Sequence, residues 1–224
     1  MTAPRISARS LLRETFATTG PLYAPLLIIN SPSLIFTASN SFLGKLDSAG
    51  IAVNIIYSIV AIPLLSGAMI FYTYRSLTRN QVTIGQAFNQ ANRRWLHLIL
   101  VYNMFVGLVW AGLYALIIPG LYVSYRLIFS LYATVIDNSS VLDSLTSSWQ
   151  LTKGRWWLVF RATFLIFFVV IVRIISIFLL ISPTRQSLGS QFAGNLLEFL
   201  AAPLINVSFV LLYLRLRESA ATIK

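Results

Sequence analysis

Cysteine is absent from the 224 residues, histidine occurs once, and only six carboxylates stand against 17 lysines and arginines. Each shortage removes a class of chemistry. Without cysteine there is no disulfide framework, thiolate metal site or cysteine nucleophile. A metal hydrolase needs several His, Asp or Glu ligands, and His97 stands beside an arginine-rich stretch rather than among carboxylates. A Ser-His-Asp set would have to recruit His97 with Asp137 or Asp143, and no serine carries a nucleophile-elbow glycine pattern. A phosphate-cradling glycine loop is missing too. No catalytic, cofactor-binding or metal-ligating residue is assigned, no cofactor is expected, and the chain reads as not an enzyme. Charge is scarce as well, at 10% of residues where a soluble domain carries about 25%. With 57% hydrophobic residues, such a chain cannot clothe a soluble surface. It belongs in a membrane.

What is abundant is apolar sequence in long runs. A helix needs about 20 predominantly apolar residues to cross the hydrocarbon core, and six candidates occur: 21–42, 51–73, 95–118, 121–136, 156–182 and 196–214. The second and third are free of charge apart from His97 at one edge. The fourth is interrupted by Arg126, the fifth by Arg161 and Arg173, and the sixth by Glu198. The first holds Pro21, Pro25 and Pro32, so a straight helix is not expected there; kinked and re-entrant forms both stay open. The formal charge of +11 suggests nucleic acid at first sight. Yet the cations flank the apolar runs, and the positive-inside rule accounts for them without nucleic acid. With six crossings and both termini cytoplasmic, twelve cations fall on the inner side and only Lys45 and Arg185 on the outer. A secretory signal is not expected in residues 1–20, because the apolar stretch after them is long and proline-broken.

Two cytoplasmic segments repeat a pattern. Residues 83–95 and 140–157 each open with capping-box spacing, Thr83 with Gln86 and Ser140 with Asp143. Helical spacing of apolar residues follows: Ile84, Ala87, Phe88, Ala91 and Trp95 in one, Leu142, Leu145 and Trp149 in the other. Short amphipathic helices lying in the interface are expected. Each ends on an Arg-Trp step, and Arg93, Arg94 and Trp95, then Arg155, Trp156, Trp157 and Arg161, serve as interfacial anchors facing anionic lipid. A fainter copy, residues 10–16, precedes the first hairpin.

The run from Ile118-Pro119-Gly120-Leu121-Tyr122 through Arg126 and Leu127 to Asp137, and then Ser148-Trp149-Gln150-Leu151-Thr152-Lys153-Gly154, resembles the membrane domain associated with some glycerophosphoryl diester phosphodiesterases. It is equally similar to a set of uncharacterised six-span bacterial membrane proteins. The resemblance is most specific over residues 83–160. It implies an all-helical membrane fold in a bacterial cytoplasmic or internal membrane. Catalysis in those enzymes belongs to a separate soluble barrel with acidic and histidine residues, and no such domain is visible in this sequence.

The remaining candidates are polar groups in apolar surroundings. Pro119 and Gly120 suit a tight outer turn between the third and fourth spans. Arg126, Arg173 and Glu198 all fall in the outer half of their spans, counted at about 1.5 Å per residue. An intramembrane charge is costly and a functional candidate by default. The three either form a cluster that holds an anion such as a lipid phosphate, or divide into a structural Arg173–Glu198 pair with Arg126 bonded to helix-end carbonyls or snorkelling. Asn54, Asn103 and Asn206 suit bonds between helices, and Gly107, Ala111 and Ala115 form a small-residue stripe. Asp137 is expected to pair with Lys153 or Arg155.

The sequence therefore reads as one all-α polytopic bundle spanning 1–224. Residues 1–20 form a cytoplasmic segment, 21–74 a first hairpin, 83–137 and 140–214 two units of interfacial helix plus hairpin, and 215–224 a cytoplasmic tail. The expected role is a non-catalytic scaffold or accessory subunit that binds anionic lipids and a membrane-protein partner. The alternative is a carrier or binding protein for an anionic lipid or small anion, built on Arg126, Arg173 and Glu198.

Overall fold

The computed structural model describes residues 8–43, 48–155, 157, 159–161 and 188–221. These residues form helices joined by short turns, with no strand among them. Four helices are long and apolar enough to cross a membrane: Arg13–Ser39, Ser48–Leu77, Trp95–Ala115 and Gly194–Ala221. The expected span 156–182 lies almost wholly outside the described residues.

The first helix, α1 (Ala8–Leu43), runs 36 residues with Pro21, Pro25 and Pro32 inside it. A continuous helix of that length leaves no room for a re-entrant form. It also absorbs residues 10–16, expected as a separate interfacial helix, and most of the segment 1–20 expected to lie outside the span. Proline costs a helix the bond to the carbonyl four residues earlier, and at Pro32 a hydroxyl compensates, because Ser31 Oγ donates to the Ile28 carbonyl at 2.8 Å.

The second of these long helices is built in three pieces: α2 (Ser48–Ile56), a π-helical segment (Tyr57–Ala61) and α3 (Ile62–Leu77). Pro63 sits just past the π segment and has no N–H for Ile59, and π-bulges form where the helical ladder is interrupted in this way. The freed acceptor finds a donor elsewhere. Asn103, from the next span, donates its Nδ2 to the Ile59 carbonyl at 3.1 Å and to its own Ile99 carbonyl at 2.8 Å.

After the short helix α4 (Ile84–Arg93) comes α5 (Trp95–Ala115), which ends where Leu116 turns extended at φ −167°, ψ 150°. The expected turn at Pro119 and Gly120 is therefore displaced: both lie in the first turn of α6 (Ile117–Leu127). Proline is tolerated in a first turn because N–H groups there have no intrahelical acceptor. Gly120 is needed for close approach rather than for turning. A Cβ on it would meet the Leu113 backbone N at 2.6 Å, and one on Gly112 would meet Gly120 Cα at 2.8 Å.

The expected fourth span is likewise not one helix. It divides at Ile128–Phe129 into α6 and α7 (Ser130–Ile136), of 11 and 7 residues, each short of a crossing on its own. The short helix α8 (Val141–Thr152) follows, and the last described helix is α9 (Leu188–Ala221), 34 residues with Pro203 inside.

The long helices α1 and α9 pack antiparallel. Tyr23 donates to the Leu200 carbonyl at 2.9 Å, Ser208 meets Thr15 at 3.3 Å, and Glu14 pairs with Arg215. The start of α1 therefore lies beside the end of α9. Thr73 of α3 donates to Asn206 of α9 at 2.8 Å in the interior. Around these contacts Leu26, Ile29, Ile70, Phe129, Val210 and Leu216 are fully buried.

Packing constraint and its absence give a paired expectation. Gly120→Ala must push α6 off α5 and should destabilise the detergent-solubilised protein by about 1–3 kcal/mol. Gly107→Ala, whose Cβ would meet nothing within 4 Å, should be neutral or slightly stabilising. Thermal unfolding followed by circular dichroism reads both.

Candidate functional site

The most concentrated polar chemistry in the apolar region lies at the break between α6 and α7, where α8 packs against both. The contacts keep an antiparallel register. Thr134 bonds Ser144 at 2.8 Å, the Phe129 amide donates to Ser148 Oγ at 3.1 Å, and Ser148 Oγ donates to the Arg126 carbonyl at 2.9 Å. Thr152 Oγ1 reaches the same carbonyl at 3.3 Å. Ser144, Ser148 and Thr152 are spaced four apart, so they form one stripe, and all are buried. One hydroxyl, Ser148, thus substitutes for the helical rung missing at the break, accepting from one side and donating to the other.

Arg126 ends α6 at this junction and is 5% exposed. Its guanidinium carbon lies 4.4 Å from the centroid of the Trp149 ring and 5.8 Å from that of Tyr122, and the two rings meet edge to face at 5.7 Å. A guanidinium over an indole face is attracted by the ring quadrupole. Its Nε is buried without a hydrogen-bond partner. Among the described residues no ion pair joins Arg126 to Glu198, which lies exposed on α9. Arg173 lies outside the described residues. Of the expected three-residue cluster, then, Arg126 alone is placed in an interior site, and its companion is an aromatic ring.

On α8 Leu142 is 67% exposed and Trp149 keeps an outer face, while Leu145 and the hydroxyl stripe point inward. In lipid this is the sensible arrangement, because apolar side chains are at home outside and small polar ones bring helices close. Its start is capped by Ser140, which accepts from the Asp143 amide at 3.3 Å and donates to the Asp143 carboxylate at 2.6 Å. At α4 the capping box is complete: Gln86 N to Thr83 Oγ1 at 3.2 Å, and Thr83 N to Gln86 Oε1 at 2.9 Å.

The expected anchors divide into bonded and exposed groups. Arg94 donates to the Thr134 carbonyl at 2.8 Å and to the Asn138 carbonyl at 2.8 Å, joining the α4–α5 junction to the end of α7. Arg155 donates to the Leu216 carbonyl at 3.1 Å. Asp137 pairs with Arg217 at 3.0 Å and accepts from Tyr213, so its partners come from α9 rather than from Lys153 or Arg155. Trp95 and Trp157 stay half exposed, Arg161 lies over Trp157 at 5.6 Å, and Arg93 is exposed. Trp156 lies outside the described residues. The small stripe Gly107, Ala111 and Ala115 is exposed, and the close approach of α5 uses Gly112 instead.

The junction is built from the same residues, Arg126, Ser148, Trp149 and Thr152, that carry the sequence resemblance. A family model described as the membrane domain of glycerophosphoryl diester phosphodiesterase matches residues 99–216, just over half of the chain. The chain belongs to this family. The matched part is the membrane domain and not the catalytic one. Neither the curated proteins nor the solved structures compared contain a match. In this membrane domain the matched stretch covers α5 from its second turn, the whole α6–α7–α8 junction, and α9 up to Leu216, whose carbonyl receives Arg155.

Sequence reasoning marked Arg126 as a site residue, used Ser148 and Thr152 only for the resemblance, and left Ser144 aside. Their four-residue spacing was the available signal. A double-mutant cycle over Arg126→Met and Trp149→Leu should give a coupling of about 0.5–2 kcal/mol, read from unfolding in detergent. Independent effects of the two changes would remove the ring contact from the account.

Proposed function

We propose that this membrane domain works without catalysis, as a helical scaffold or accessory subunit that binds anionic lipid at its cytoplasmic face and holds a membrane-protein partner. The observation that carries the reading is the convergence of arginine contacts at one end of the bundle. Arg94, Arg155, Arg215 and Arg217 tie together the starts of α1 and α5 and the ends of α7, α8 and α9. Cations gathered at one end mark the cytoplasmic side. They stitch helix ends to one another, which is work for a rigid platform. The sides of the bundle carry large exposed apolar residues, among them Leu100, Leu108 and Trp110 of α5, suited to lipid or to another membrane helix.

A second reading is a site for an anionic lipid or small anion at Arg126, with Arg173 and Glu198 as the companions expected from sequence. It is favoured by the buried Arg126 Nε that lacks a bond. Loss of bound phosphate or phosphatidylglycerol in Arg126→Met, with the fold retained, would support it over the scaffold reading.

The absence of native cysteine allows a clean topology test. Single cysteines at Thr78, Ser140 and Ser219 should all react with an impermeant maleimide only from the cytoplasmic side, and one at Tyr114 only from the opposite side. For the role itself, affinity purification in mild detergent should recover a stoichiometric membrane protein, and the isolated chain should release no alcohol from glycerophosphodiesters. Turnover, or a chain that purifies alone under every mild condition, would contradict the scaffold reading.

A further inference from the structure

Two cavities adjoin along α4, one apolar and one polar and basic. The first, of about 480 Å³, is almost wholly apolar; Pro32 of α1, Tyr57 and Ala61 of the π segment, Leu64 of α3 and Phe88 of α4 line it. The second, of about 420 Å³, is polar and lined by Phe71, Arg75, Asn80, Gln86, Gln90 and Arg93. Asn89 lines both, so the apolar groove and the basic cavity adjoin at α4. Among the described residues no carboxylate lines either cavity. Arg75 and Arg93 are exposed, and among the described residues neither is in an ion pair. The Arg75 guanidinium carbon rests 5.3 Å from the Phe71 ring centroid, which holds it toward the polar cavity.

Each half has its own cause. Proline at 32 and the π segment ahead of Pro63 both interrupt regular packing on the faces of α1 and α2–α3 that turn toward α4, leaving a groove where two straight helices would close. The capping box fixes where α4 begins, so Arg93 lines the same cavity as Arg75. From Arg75 to Leu64 is eleven residues of α3, about 17 Å of helix. One leaflet of hydrocarbon is about 15 Å deep. The spacing suits a phosphate at the arginines and an acyl chain in the groove.

We infer that α4, with Arg75, Arg93 and the groove beside Pro32 and the π segment, is a binding site for a single anionic phospholipid. Two guanidiniums without carboxylates match a phosphodiester that carries no cation of its own. A zwitterionic headgroup would bring an ammonium next to them, and the pair then loses its advantage. Neutral side-chain amides around the arginines, including Asn80 and Gln90, can bond headgroup hydroxyls. The inference rests on the membrane placement proposed above and not on the existence of a protein partner.

Native mass spectrometry of the full chain in mild detergent tests it, with dioleoyl phosphatidylglycerol, dioleoyl phosphatidylcholine and glycerol phosphate as probes. The expected result is one retained phosphatidylglycerol, with phosphatidylcholine held about tenfold more weakly or worse. Arg75→Gln combined with Arg93→Gln should lower phosphatidylglycerol affinity by about tenfold or more, and Ala61→Trp, which fills the groove, should do the same. Arg79→Gln, a neighbouring cation that does not line the cavities, should bind as the unaltered chain does. Should Ala61→Trp fail to give a monodisperse protein, the exposed arginine pair decides the question. Undiminished binding in the arginine variant, equal retention of the two lipids, or displacement of phosphatidylglycerol by glycerol phosphate would each overturn the site. A chain that purifies without a protein partner but keeps its lipid would sink the scaffold reading and leave this one standing.

Discussion

A peptide group without a hydrogen-bond partner costs several kcal/mol in hydrocarbon, and this chain interrupts its helices repeatedly where that cost applies. The architecture follows from how each interruption is repaired. Where α6 gives way to α7, Ser148 of a different helix stands in for the lost rung. Ahead of Pro63, Asn103 crosses from α5 to take up the Ile59 carbonyl. At Pro32 the repair is local, from Ser31. Two of these three repairs join separate helices. Broken backbone is therefore what specifies which helices must be neighbours, in an environment where apolar contact alone favours no particular pairing.

The arginines follow the same rule of finding partners on other helices. A cation placed at a helix end near the membrane surface can face water or lipid phosphate, and sequence alone asks no more of most of the chain's cations. Arg94 and Arg155 instead terminate on backbone carbonyls of other helices, and Arg215 and Arg217 on carboxylates. Thr134, which receives Arg94, lies in the last turn of α7, where carbonyls carry partial negative charge and lack intrahelical donors, so arginine suits it on both counts. One set of residues can thus orient the chain by its charge and bind the ends of the bundle by its geometry. Arg126, away from that rim, solves its problem with an aromatic face rather than with a carboxylate.

Much of this was legible in the sequence, and the failures share a cause. Helical class, the membrane setting, the long apolar runs, the Thr83 and Ser140 caps and the family all follow from local pattern, which is what sequence exposes. Of α1, a kinked crossing was among the expected forms; what three prolines hid is that the helix stays continuous from Ala8, with a local repair by Ser31 at Pro32 and nonlocal packing on α9. The division of 121–136 at Phe129 was hidden for the opposite reason: apart from Arg126 the run is largely apolar with nothing to mark a break, and only Ser148, nineteen residues later, makes the break tolerable. Asp137 has cations nearby in sequence, yet its partners lie on α9. The turn assigned to Pro119 and Gly120 came three residues early, at Leu116, since glycine in a close helical crossing looks identical in sequence to glycine in a turn.

Hydrogen exchange at the Phe129 amide, resolved by NMR or by fragmentation mass spectrometry, tests the central claim most directly, because that amide has its acceptor in Ser148 Oγ and not in its own helix. In the unaltered chain it should be protected to about the level of its neighbours in α7. In Ser148→Ala its protection should fall by about tenfold or more, corresponding to at least ~1 kcal/mol, while amides in the middle of α5 keep theirs. Unchanged protection at Phe129 in the variant would mean that α8 does not mend the break, and the account of how the helices choose their neighbours would fail with it.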